Sequence, residues 1–144
     1  MRVVVDTNVL ISALLSARSL PAELIELWRE GRFDLLTSVE QLEELRRVMR
    51  YPKIRERLSP ALAGRLINEL RDVAVLVSDL PQVTACVDPY DNYLLAMFKA
   101  GRSDCLVTGD KRDLLGIARY EGGRIVTVRT FLTAYGRLPR DERP

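Results

Sequence analysis

The chain contains no histidine. That absence rules out Ser-His-Asp and Cys-His catalysis and any histidine-driven cleavage of RNA, so hydrolytic chemistry would have to be carried by carboxylates and a metal ion. Cysteine is almost as scarce. Cys86 and Cys105 form no CxxC pair, and without histidine they argue against a zinc site. Both fall in apolar stretches and read as core residues rather than a disulfide. A long apolar run is also missing. The N-terminal stretch MRVVVDTNVLISALL is broken by Asp6 and Asn8, is too short and polar to cross a bilayer, and carries no signal-cleavage pattern. The expectation is a cytoplasmic protein with no membrane partner. Excess charge of one sign is lacking as well: 22 basic residues face 20 acidic ones, for a net charge of +2, which does not by itself indicate nucleic acid.

What is present is a chain of 144 residues, 47% hydrophobic and 29% charged, enough for one globular domain. Val3 to Val5 predict a strand buried on both faces, followed by helices over 8–16 and 21–30, the second stopped by Gly31. A strand over 33–37 leads to Ser38 and Gln41, a capping box that opens a helix to about residue 49. Tyr51-Pro52 interrupts it, and Ser59-Pro60 starts another helix to about Arg71. Residues 73–77 read as a strand or as a continuation of that helix. Asp88-Pro89 reads as N-cap and first helical residue of a helix reaching Ala100, with Gly101 as its stop. Residues 105–108 predict a strand, 114–120 a short helix, 124–128 a strand and 130–135 a last helical turn or two. Alternating strands and helices predict an α/β fold with a mostly parallel sheet. Residues 1–137 read as a single domain and 138–144 as a frayed tail.

Four acids stand at the ends or edges of these elements. Asp6 closes the first strand, Glu44 borders the apolar stripe of Leu42, Leu45, Val48 and Met49, Asp91 lies three residues after Asp88, and Asp110 follows the strand CLVT and its Gly109 turn. In an open α/β sheet ligands bind beyond the carboxyl ends of the strands, so one rim can gather all four. Two carboxylates about 4 Å apart repel by roughly 1–4 kcal/mol at effective dielectrics of 80 to 20, and a divalent ion removes that penalty. Mg²⁺ or Mn²⁺ held there would activate water and polarise a phosphoryl oxygen. Each acid also has a plainer role open to it: Asp6 and Asp88 as helix caps, Asp91 as a complement to the helix dipole, Glu44 as a solvated helix residue, Asp110 as a turn residue. The basic run Arg46, Arg47, Arg50, Lys53, Arg55 and Arg57 reads either as a solvated helix face or as a surface for a phosphate backbone.

Taken in order, DTNVLISALLS at 6–16, TSVEQLEELRRVMRYPKI at 37–54, DPYDNYLLAMFKAG at 88–101 and CLVTGDKRDLL at 105–115 resemble the successive motifs of PIN domains, over nearly the whole chain. The likeness is strongest to the branch described as toxins of bacterial and archaeal toxin–antitoxin systems. It implies an α/β/α sandwich and a Mg²⁺- or Mn²⁺-dependent endoribonuclease that leaves 5′-phosphate and 3′-hydroxyl ends. It assigns the catalytic and metal-binding acids to Asp6, Glu44, Asp91 and Asp110, with Asn8, Thr108 and Asp88 supporting them. It further implies an RNA substrate, a cognate antitoxin and homodimerisation, while the charge distribution offers Arg46, Arg47, Arg50, Lys53 and Lys111 as candidate RNA contacts. The competing expectations are a catalytically inactive PIN-like module that binds RNA or a partner and, ranked last, a nuclease acting on DNA.

Overall fold

A parallel sheet is covered on both faces, so its strands are short and apolar throughout, and the central strands of this protein have that character. The computed structural model describes residues 1–85, 91–109 and 112–136, without the side chains of 112 and 113. The strands are β1 (Arg2–Val5), β2 (Asp34–Thr37), β3 (Val75–Leu76), β4 (Cys105–Thr108), β5 (Arg119–Tyr120) and β6 (Gly123–Thr127). They form one sheet in the order β3-β2-β1-β4-β6-β5, in which every pairing is parallel except the antiparallel β5–β6 edge. The helices are α1 (Thr7–Leu15), α2 (Leu20–Arg29), α3 (Val39–Val48), α4 (Pro52–Arg55), α5 (Pro60–Val73), α6 (Asn92–Ala100), α7 (Arg112–Leu115) and α8 (Val128–Tyr135).

Alternation along the strands divides the core into two layers. Val3, Val5, Leu35, Cys105, Val107 and Val126 point to one face, where α1, α2, α3, α5 and α8 cover them. Val4, Leu36, Leu106 and Ile125 point to the other, against Leu94, Leu95, Met97 and Phe98 of α6 and Leu114 of α7. The result is the expected α/β/α sandwich. No helix among the described residues is long and apolar enough to cross a membrane.

The helices start where their polar residues dictate. The side chains of Asp6, Ser19, Ser38, Ser59 and Thr127 each accept a backbone N–H at the head of α1, α2, α3, α5 and α8, a bond whose loss costs about 1 kcal/mol. Several expectations need correction. The capping box is half made: Ser38 caps α3, but the Gln41 side chain leaves the helix end for the sheet. Val73 ends α5, and only Val75–Leu76 form a strand, which lies exposed at the sheet edge. The helix over 114–120 is a single turn, Arg112–Leu115, because the chain reverses through Ala118 and Glu121, both at positive φ, into the β5–β6 hairpin. Asp91 sits at the N-cap of α6 in helical backbone and makes no side-chain capping bond, whereas the expected cap Asp88 lies outside the described residues. So do Cys86, Asp110, Lys111 and the tail from 137 onward.

Candidate active site

Strand order reverses between β1 and β4. The chain runs outward from β1 through β2 to β3, then returns to the opposite side of β1 as β4. Such a reversal opens a crevice at the strands' carboxyl ends, and Asp6 stands in it as the first residue after β1.

Asp6 is 1% exposed. Its backbone N–H donates to the Val107 carbonyl at 2.9 Å, which stitches the end of β1 to β4. Its Oδ1 accepts from the Asn8 backbone N–H at 3.2 Å and its Oδ2 from the Thr108 hydroxyl at 2.8 Å. Asp6 therefore caps α1 while its carboxylate stays within the crevice. Expected to support Asp110, Thr108 spends its only hydroxyl proton on Asp6. Asn8 contributes through its backbone, and its side chain is exposed.

Asp91 reaches the same rim from α6 and is 3% exposed. Glu44 arrives on α3 and is half-buried, whereas Glu40 and Glu43 of the same helix are exposed. Its carboxylate is paired with Arg47, whose guanidinium also donates to the Tyr51 hydroxyl and lies 5.8 Å from that ring's centroid. Arg47, a candidate RNA contact, is thus committed to Glu44 and Tyr51. The pair is open to solvent, and exposed pairs contribute only about 0–1 kcal/mol, so Glu44 can be released from it at small cost.

Tyr93 lies within electrostatic reach of three of these acids and was not among the candidates from the sequence. Its hydroxyl lies 2.6 Å from the hydroxyl of Thr7, the first residue of α1. Burial pushes its phenol well above the usual tyrosine range, the Thr7 hydrogen bond opposes that rise, and the negative charges of Asp6, Glu44 and Asp91 each add a smaller upward push. Three of the four nominated acids therefore act on one hydroxyl at the crevice. Tyr93 sits two residues past Asp91, in the first turn of α6, and an aromatic residue so close to a nominated acid was the available signal.

Gln41 is the other residue that was missed. It is buried, donates from Nε2 to the Val5 carbonyl at 2.7 Å and accepts at Oε1 from the Thr37 hydroxyl at 2.9 Å. One amide thus clamps the residue before Asp6, the end of β2 and the helix that bears Glu44. Its signal was an amide one turn before Leu45 within an apolar stripe, a position that demands buried partners.

The donor chemistry suits a hard dication: buried carboxylate oxygens, with no imidazole anywhere in the chain. Among the described residues no three acidic, cysteine or histidine side chains form a metal-binding group, and Asp110 is outside them.

The family profile described as PIN domain matches residues 2–112. The chain is also similar to the uncharacterised protein MJ1680 of Methanocaldococcus jannaschii, at 28% identity over 117 residues, which is 81% of this chain and 74% of that protein. No solved structure matches it. The profile match runs from β1 to the start of α7, spanning both core layers and the crevice between β1 and β4, and the chain belongs to the PIN domain family.

Proposed function

We propose that the protein is a divalent-metal-dependent endoribonuclease whose reaction centre is the crevice of Asp6, Glu44, Asp91 and Asp110, and that it acts as the toxin of a toxin–antitoxin pair. PIN domains are generally nucleases. The observation that carries the reading is the burial of two carboxylates, Asp6 and Asp91, at the carboxyl end of the sheet where strand order reverses. Such crowding of negative charge in a buried site, without histidine or thiolate, suits Mg²⁺ or Mn²⁺. The toxin role, the antitoxin and a homodimer are supported only by the resemblance of the motifs.

Asp6, Asp91 and Asp110 would hold the ion, with Glu44 joining them once freed from Arg47. When bound, the ion supplies Lewis acidity and a more acidic water. The chain's own residues do the rest. The Asn8 N–H and the Thr108 hydroxyl hold the Asp6 carboxylate in one orientation, and Gln41 fixes the strand end that presents it. A carboxylate of the crevice takes a proton from the attacking water. The water oxygen bonds to phosphorus, the P–O3′ bond breaks and the proton held by the carboxyl group passes to the 3′ oxygen, directly or through solvent, giving 5′-phosphate and 3′-hydroxyl ends.

The test is cleavage of a generic single-stranded RNA by wild type and by Asp6→Asn, in Mn²⁺ and in EDTA. Asn keeps the shape and one acceptor oxygen of Asp6, so the fold is expected to persist. Cleavage is expected in Mn²⁺ with wild type alone. Equal cleavage by the Asn variant would end the assignment, and a folded wild type that binds the RNA without cutting it would favour the inactive module.

A further inference from the structure

The basic run after Glu44 does more than face solvent. The ends of α3 and α5, with the α4 turn between them, enclose a hollow of about 170 Å³. Its floor is apolar, formed by the buried Met49, Leu58, Ala63 and Ile67. Arg46, Arg50 and Arg55 line it as well; all three are exposed, and among the described residues none of them forms an ion pair and no carboxylate lines the hollow. Arg47, in the same run, is instead paired with Glu44. The first turn of α5, a 14-residue helix, opens beside the hollow with Pro60 in its lining and carries no acidic residue, so the positive end of the helix dipole is also uncompensated.

We infer that this hollow is a binding site for one nucleotide of the RNA substrate, with the base on the apolar floor and its flanking phosphates on Arg46, Arg50 and Arg55. This rests on the nuclease reading for the identity of the ligand. Guanidinium forks match phosphate oxygens in pairs, and an unstacked base buries its face against apolar or aromatic groups where RNA is recognised in single strands. Arg46 and Arg50 lie two and six residues beyond Glu44, on the opposite side of α3 and at most roughly 9 Å along its axis, so a strand engaging both sites would have to pass over the end of that helix. Gly64 borders the space, and a Cβ added there meets no atom within 4 Å, so a larger side chain would enter it without colliding with the protein.

The experiment measures binding in EDTA, with Asp6→Asn as the parent, so that neither cleavage nor metal is involved. The probe is a fluorescein-labelled 12-nucleotide single-stranded RNA, titrated from 50 to 300 mM salt. Arg46→Gln/Arg50→Gln/Arg55→Gln is compared with an equally charged control, Arg18→Gln/Arg119→Gln/Arg129→Gln. Expected are an affinity loss of at least tenfold for the first triple alone and a fall of about 2 in its log–log salt slope, since each phosphate contact on a single strand contributes about 0.7. Gly64→Leu is expected to weaken binding severalfold with the slope unchanged. Equal losses in the two triples would overturn the site. An unaffected Gly64→Leu variant would overturn the base position. If a poly-glutamate peptide binds the parent as tightly as the RNA does and the first triple loses both, the hollow is a docking place for an acidic protein segment and the RNA assignment falls. If wild type and Asp6→Asn cleave equally, the nuclease reading fails separately from any of these binding results.

Discussion

Replacing Tyr93 with Phe tests the crowding of charge at the crevice without relying on catalysis. In metal-free protein the substitution removes one hydroxyl and leaves the Thr7 hydroxyl, which is buried, without its 2.6 Å partner. Near pH 7 that costs about 1–2 kcal/mol, the usual range for a lost hydrogen bond with a stranded partner. The difference should then shrink as pH rises. The folded-state pKa of Tyr93 lies above the ordinary tyrosine value of 10.0, so above pH 10 the unfolded chain releases this proton while the folded chain retains it. Fewer protons on the unfolded state mean that stability falls with pH. The stabilisation is complete below pH 10 and is lost as pH climbs towards the folded-state value, at up to about 1.4 kcal/mol per pH unit. By pH 11 the wild type should have given up about 1.4 kcal/mol that Tyr93→Phe, having no such proton, keeps. Urea unfolding of both proteins in EDTA at pH 7, 9, 10 and 11 measures this directly. A gap that stays constant over that range would refute the reasoning, because it would mean that Tyr93 titrates alike in the folded and unfolded chains.

Two further outcomes follow from the packing. Gln41→Leu fills a similar volume but strands the Val5 carbonyl and the Thr37 hydroxyl, so chemical denaturation should show a loss of about 2–5 kcal/mol; a loss under 1 kcal/mol would mean the clamp is not formed. Gly123→Ala places a Cβ 2.3 Å from the Phe98 ring and 2.7 Å from the Ser103 carbonyl, and should lower stability by about 1–3 kcal/mol, checked by the same unfolding curves, with no change in RNA binding.

The sheet was legible because its signals are local. Val3–Val5 and Cys105–Thr108 are buried on both sides and read as continuous apolar runs, and Ser19, Ser38 and Ser59 each precede the helix they cap. Positions that depend on a distant partner were not legible. Gln41 satisfied a capping pattern on paper, but an amide inside the stripe is better used on the Val5 carbonyl, 36 residues away. Residues 114–120 carry helical spacing, yet the hairpin with β6 takes Arg119 and Tyr120 because a strand edge offers them hydrogen bonds that an isolated helical turn does not. Arg47 looked like its neighbours in the basic run until α3 placed it one turn from Glu44.

The sequence by itself determined the chemistry open to this protein. A chain without histidine that sets acids at strand and helix ends can work on phosphodiesters only through carboxylates and a hard cation, and its alternating elements require a parallel sheet. Tertiary structure decided which groups meet. Asp6 and Thr108 are 102 residues apart and touch because β1 and β4 pair in register at the reversal of strand order. Tyr93 faces Thr7 across 86 residues because α6 packs against β1, at whose end α1 begins. Periodicity fixes which face of an element is apolar, but only the pairing of strands and the docking of helices on the sheet bring two distant polar groups within hydrogen-bond reach.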